Sequence, residues 1–127
     1  MKHQESKASI LFRHYLKAHP YHTCAIEMKD TRGSDRFPFN EVKQAQIDYG
    51  LAIKSDKGVL IRTQAVSEGM PDYIYLRNEP SIIVIKYPKM FAMIDIETFI
   101  LEKKKSKRKS LTSKRAIEIA IKIIKST

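Results

Sequence analysis

Thr23-Cys24-Ala25-Ile26-Glu27-Met28-Lys29-Asp30 is the stretch on which the fold turns. An apolar run that ends in polar residues reads as a β-strand, and side chains two apart on a strand leave from the same face. Glu27 and Lys29 therefore stand side by side, while Ile26 and Met28 point the opposite way into a core. An acid and a base at the polar end of an apolar strand suit the binding of a divalent cation and action on a phosphate. The same spacing also describes an ordinary surface ion pair, so the surrounding chain has to separate the two readings.

Upstream, residues 4–18 predict a helix, because Ala8, Leu11, Phe12, Tyr15 and Leu16 recur at helical spacing as one apolar stripe. Glu5 falls at the edge of that stripe, where it either favours the positive end of the helix dipole or reaches a metal site. Pro20 stops the helix, and His19 and His22 read as loop residues. Downstream, Asp30 to Arg36 predicts a charged, flexible loop. In it Arg32 and Arg36 either follow a phosphodiester backbone or stand in a solvated turn. Phe37-Pro38-Phe39 leads into a second helix from about Asn40, a favourable N-cap, with Val42, Ala45, Tyr49 and Ile53 facing inward. Gln46 falls on that inner side. A buried amide needs hydrogen-bond partners, so it satisfies a backbone group or looks into a polar site.

From Gly58 the pattern changes to strands, with Val59 to Val66, Tyr73 to Leu76, Ser81 to Tyr87 and Phe91 to Ile96 as the segments. Arg77-Asn78-Glu79-Pro80 predicts a hairpin connection between the second and third of these. With the opening strand they make an α/β fold, a mixed sheet of about four to five strands flanked by helices. Glu97 to Lys103 predicts a short helix running into Lys103-Lys104-Lys105-Ser106-Lys107-Arg108-Lys109, a basic segment read as a flexible strap on nucleic acid or as a solvated face. A last helix is expected over about 112–125. Ile117, Ala120, Ile121 and Ile124 lie on one face and Ile119 and Ile123 on a second, which suggests packing against another subunit or elsewhere in the chain.

A chain of 127 residues holds one domain with a proper core and is too short for two ordinary ones. Its formal net charge of +10 points to a polyanionic partner, nucleic acid ahead of an acidic membrane surface. Cys24 is the only cysteine, which excludes a disulfide framework or a cysteine-based zinc site within one chain and fits a small core residue. The opening residues lack the apolar run of a signal peptide and no stretch approaches a membrane span, so the expectation is a cytoplasmic protein without a membrane partner.

Gly69-Met70-Pro71-Asp72-Tyr73 is the second informative stretch. Proline fixes the backbone entering a strand, and Asp72 becomes that strand's first polar side chain. Alone it is a turn residue; with Glu27 it would supply the second carboxylate that magnesium commonly takes. Pro71-Asp72 and Glu27-x-Lys29 are the two halves of the signature of the PD-(D/E)xK nuclease superfamily. The string Glu27 to Gly33, then Phe37-Pro38-Phe39, then Val42-Lys43-Gln44-Ala45-Gln46-Ile47, resembles bacterial and phage Holliday-junction resolvases of the recombination-U type. Pro71 to Leu76, Ile83 to Pro88 and Lys109-Ser110-Leu111-Thr112 resemble the later part of such phage proteins. The resemblance covers most of residues 22–115, and its weight lies in the order and spacing of short motifs. In that superfamily the aspartate precedes the acid-x-lysine strand, whereas here it follows. The usual order, Asp72 then Val84-Ile85-Lys86, places a valine where a carboxylate is required.

The resemblance implies a restriction-endonuclease-like fold with rearranged strand order, in which Asp72 joins Glu27 and Lys29 from a neighbouring strand. It implies metal-assisted hydrolysis of a phosphodiester, with magnesium, or manganese in its place, held by Glu27 and Asp72 with Glu5 in support. Lys29 would position the water or stabilise phosphate charge, and Gln46 would orient one of them. Arg32, Arg36, Lys43, Lys103, Lys104, Lys105, Lys107, Arg108 and Lys109 are the expected DNA contacts. The implied substrate is a four-way junction or other branched DNA, whose paired cuts call for a homodimer. Two alternatives stand beside this: a nuclease of the same fold acting on other DNA structures, and a noncatalytic DNA- or RNA-binding protein on a decayed nuclease fold.

Overall fold

Residues 82–85 are an unbroken run of β-branched side chains, and in the computed structural model of the chain they lie in a strand, Ser81–Tyr87, buried on both faces. The structure describes Phe12, residues 24–63 and residues 72–126. Glu5, His19 and His22 lie outside the described residues, as does the predicted first helix apart from Phe12, which is helical and buried. The elements are β1 (Ala25–Asp30), β2 (Arg36–Pro38), a 3-10 turn (Phe39–Glu41), α1 (Gln44–Lys54), β3 (Val59–Thr63), β4 (Asp72–Leu76) and β5 (Ser81–Tyr87). They continue with β6 (Met90–Asp95), α2 (Ile96–Lys105), β7 (Ser110–Thr112), α3 (Ser113–Ile119) and β8 (Lys122–Lys125).

The architecture is mixed α/β. A four-stranded sheet runs in the order β1-β5-β6-β8, with two smaller two-stranded sheets, β2-β7 and β3-β4. β1 pairs parallel with β5, Ala25 opposite Ser81 through Asp30 opposite Lys86, and the other pairs in the large sheet are antiparallel. The alternation expected for β1 holds. Ile26 and Met28 pack with Cys24, Ile82, Val84, Phe91 and Met93 on one face, where Phe12 is seated with its ring 5.5 Å from that of Phe91. The opposite face carries Ile83, Ile85, Ala92 and Ile94, covered by Val42 and Ile47 from the α1 side and by Ile96 and Phe99 of α2. Glu27 and Lys29 belong to this second face, under α1.

Four expectations change. First, Arg77 to Pro80 does not join a β4–β5 hairpin, since β4 pairs antiparallel with β3. The turn is instead tied to the end of α1, with the Asn78 and Glu79 amides donating to the carbonyls of Ser55 and Ile53 at 3.0 and 3.2 Å. Second, α1 starts at Gln44. Phe39 and Val42 are both buried anchors, and holding them keeps Val42 and Lys43 extended, so Asn40 sits in the 3-10 turn instead of capping a helix. Inside α1 the buried positions are Ile47, Gly50 and Ile53, while Ala45 and Tyr49 are exposed.

Third, Asp30 to Arg36 is a hydrogen-bonded turn. The Arg32 amide donates to Asp30 Oδ1 at 2.8 Å, and the Thr31 hydroxyl donates to the Lys86 carbonyl at 3.0 Å. Arg32 takes a left-handed φ of 56° ahead of Gly33 at 87°. Fourth, the terminal helix stops at Ile119. Ala120 is extended, the Ile121 amide donates to the Met93 carbonyl at 2.8 Å, and residues 122–125 form β8 against β6. Of the two apolar faces read into that helix, Ile123 and Ile124 fall on the two sides of a strand, one in each core cluster, Ile119 and Ala120 pack on the first cluster, and Ile117 and Ile121 are exposed.

Candidate functional site

β1 delivers Glu27 and Lys29 to the same face, and Lys29 Nζ lies 3.4 Å from Glu27 Oε1. Gln46, in the first turn of α1, donates from Nε2 to that same oxygen at 2.8 Å. Its amide orientation is fixed from the other side, because Gln46 Oε1 accepts the Lys43 backbone N–H at 3.0 Å. An amide that accepts with oxygen at the helix start must present nitrogen to the carboxylate, so Gln46 is aimed at Glu27 by the capping of its own helix. Both contacts fall on Oε1. Oε2 takes neither, and the Glu27 side chain is 38% exposed.

Beside this trio a small cleft of about 90 Å³ runs between α1 and the start of the sheet, lined by Ala25, Val42, Tyr49, Gly50 and Ile96 with Glu27 and Gln46. Gly50 leaves room for the Ile96 side chain, whose Cδ1 would stand 2.5 Å from a Cβ there, and the Gly50 carbonyl ties α1 to the sheet by accepting the buried Ser81 hydroxyl at 2.6 Å. Tyr49, one turn beyond Gln46, stands half exposed at the rim. Its periodicity pointed inward; the shift of the helix start turns it outward.

Asp72 opens β4, opposite Thr63 of β3, in a sheet separate from that of β1. The strand hydrogen-bonded to β1 is β5, which sets Val84 opposite Met28 and Lys86 opposite Asp30. The expectation that Asp72 arrives on a strand next to β1 is therefore corrected; the Asp72 side chain lies outside the described part of the molecule. Among the described residues no three His, Cys, Asp or Glu side chains cluster to hold a metal. Burial, with help from the negative charge of Glu79, pushes the Cys24 thiol pKa up, which works against the reactive thiolate.

The expected DNA contacts separate into groups. Arg32 and Arg36 are exposed around the turn after β1, and Lys43 is exposed at the start of α1, three residues before Gln46. In the basic segment, Lys103, Lys104 and Lys105 end α2, and Lys107, Arg108 and Lys109 occupy the connection to β7. The strap is not loose: the Ser106 amide donates to the Glu102 carbonyl at 2.9 Å, the Arg108 amide to Ser106 Oγ at 3.1 Å, and the Phe39 amide to the Lys109 carbonyl at 3.0 Å. No described helix is long and apolar enough to cross a membrane. No protein-family model, no curated protein and no solved structure matches the chain.

Proposed function

We propose that the chain is a magnesium-dependent DNA endonuclease of the PD-(D/E)xK kind, with a restriction-endonuclease-like fold of rearranged strand order, acting on four-way junctions or similarly branched DNA. The observation that carries this reading is the convergence of Glu27, Lys29 and Gln46, three side chains from two elements on one carboxylate oxygen's surroundings. A surface ion pair needs no third residue. Here Gln46 is oriented by its own helix cap toward the acid, an arrangement suited to holding a carboxylate in one pose.

A hard cation fits the donor present, since Glu27 is a partly exposed carboxylate whose Oε2 takes neither contact, and magnesium is content with one or two carboxylates plus water and phosphate oxygens. Glu27 is the ligand this reading rests on, and Asp72 and Glu5 are its further proposed carboxylates. When bound, the ion supplies positive charge that polarises a phosphate and lowers the pKa of a coordinated water. The residues do the rest. Gln46 holds Oε1 and leaves Oε2 outside that contact, and Lys29 keeps an ammonium next to the place where phosphate charge builds up, a role worth several kcal/mol in preorganised sites. Two such sites in a homodimer would serve the paired cuts of a junction.

The test is cleavage of labelled four-way junction and linear duplex, with magnesium and with chelator, by the parent chain, Glu27→Gln and Lys29→Ala. Cleavage of the junction that disappears in chelator and in both variants is the expected result. Cutting that survives either treatment overturns the mechanism. The second reading, a noncatalytic nucleic-acid binder, draws on the placement of β4 outside the sheet of β1, so that Asp72 is not on a strand paired with that of Glu27. Tight junction binding with no cutting under any metal supports it.

A further inference from the structure

The basic segment is one wall of a groove. Between the end of α2, the 106–109 connection and the 3-10 turn lies a concavity of about 620 Å³, lined by Pro38, Phe39 and Asn40 on one side and by Lys103, Lys107, Arg108 and Lys109 on the other. Its walls are built. Pro38 pairs with Ser110 and Phe37 with Leu111 across β2 and β7, and Phe37 and Leu111 are fully buried. Phe39 is buried with its ring 5.6 Å from Phe99 of α2, and its amide holds the Lys109 carbonyl. The backbone that carries the cations is therefore set on a scaffold whose hydrogen bonds are already made.

Charge bookkeeping separates these cations from others nearby. Arg115 is spent on Glu102 and Glu118, and Lys54 on Asp95 and Glu97. Lys103, Lys107, Arg108 and Lys109 form no ion pair with a described residue, all four are exposed, and no acid lines the groove. Lys104 and Lys105 carry the same charge in the same run but do not line it. The cavity is far larger than one phosphate and has room for a chain of them. Asn40 on the groove and Val42 on the cleft beside Glu27 are two residues apart, about 7 Å of chain at most.

We propose that this groove is a preformed, metal-independent seat for the sugar–phosphate backbone of one DNA strand, which it directs toward the Glu27 cleft. Its donors are ammonium, guanidinium and hydroxyl groups set to meet phosphates, so binding is indifferent to base sequence. It goes beyond the hydrolytic reading, because it needs a polyanion and no cation or reaction.

The experiment measures the affinity of the full chain for a fluorescein-labelled DNA duplex in chelator across a salt series, so that the result stands whether or not the protein cuts. It compares the parent with Lys107→Gln/Arg108→Gln and with Lys57→Gln/Lys125→Gln, two exposed pairs of equal charge change. The groove pair lowers the slope of log K against log salt by about 2, close to 0.9 per lost phosphate contact, while the off-groove pair leaves it unchanged. Lys107→Arg keeps the parent slope. Equal losses from both pairs mean a diffuse basic surface and overturn the groove; so does an unchanged slope in the groove pair.

Discussion

At the scale of residues, Gln46 has the most exposed role, because its side chain links a helix cap to the acid of the site. On the proposed nuclease reading, Gln46→Ala should leave the fold intact and lower single-turnover junction cleavage by about 10- to 100-fold, the usual cost of losing a group that orients a metal-binding carboxylate. A rate within twofold of the parent would detach Gln46 from the chemistry. Glu102 gives a pH-dependent contrast. The bidentate hydrogen bonds from Arg115, at 2.8 and 3.0 Å, hold its carboxyl below the usual carboxylate range, against an opposing push from desolvation. A depressed carboxylate stabilises the fold above its ordinary range, and the benefit is lost as pH falls through the folded-state value. Thermal melts of Glu102→Gln should show a deficit at neutral pH that closes in acid; a deficit constant with pH would mean the charge is irrelevant. The trio at the site was legible because it depends on local rules. Period-two alternation placed Glu27 with Lys29, and an amide on an apolar helix face signalled a polar partner. Asp72 was not legible in the same way, since which strand lies beside which is a matter of pairing across long stretches of chain.

At the scale of elements, the strands read well where the pattern was strong, β5 above all, and failed where short segments suit two structures. Ile-Lys-Ile-Ile repeats tolerably on a helix and well on a strand; the open edge of β6 decides for the strand, and Ile121 is bonded to Met93 at the point of entry. β8 is therefore structural, and deleting residues 121–127 should cost about 3 kcal/mol in urea unfolding, from two half-buried isoleucines and the lost pairing. A deletion without effect would make β8 dispensable. The groove depends likewise on what stands behind it. Phe99 is fully buried against Phe39, so Phe99→Ala should destabilise by about 3–5 kcal/mol. It should also weaken DNA binding at temperatures where the protein remains folded, read by fluorescence anisotropy. Intact binding in the folded variant would show that the 3-10 turn needs no such support.

At the scale of the molecule, a net charge of +10 is a self-repulsion that folding concentrates. Added salt screens it, and a gain of about 1 kcal/mol on going to roughly 0.5 M salt corresponds to a rise in Tm of about 3–6 °C at this length. A Tm that falls instead would mean that native pairs such as Arg115 with Glu102 outweigh the repulsion. The order of assembly follows from the parallel pairing of β1 with β5. Thr31 and the Lys86 carbonyl it bonds are 55 positions apart, and all of α1 and the β3–β4 hairpin intervene. Contacts of that separation close late in folding. On a ribosome, the strand bearing Glu27 emerges early yet has no β5 to lie against until Tyr87 has cleared the exit tunnel. The growing chain thus carries its acid and lysine on an unpaired strand until residues 81–87 have emerged, and the site comes into being only when β5 arrives beside β1.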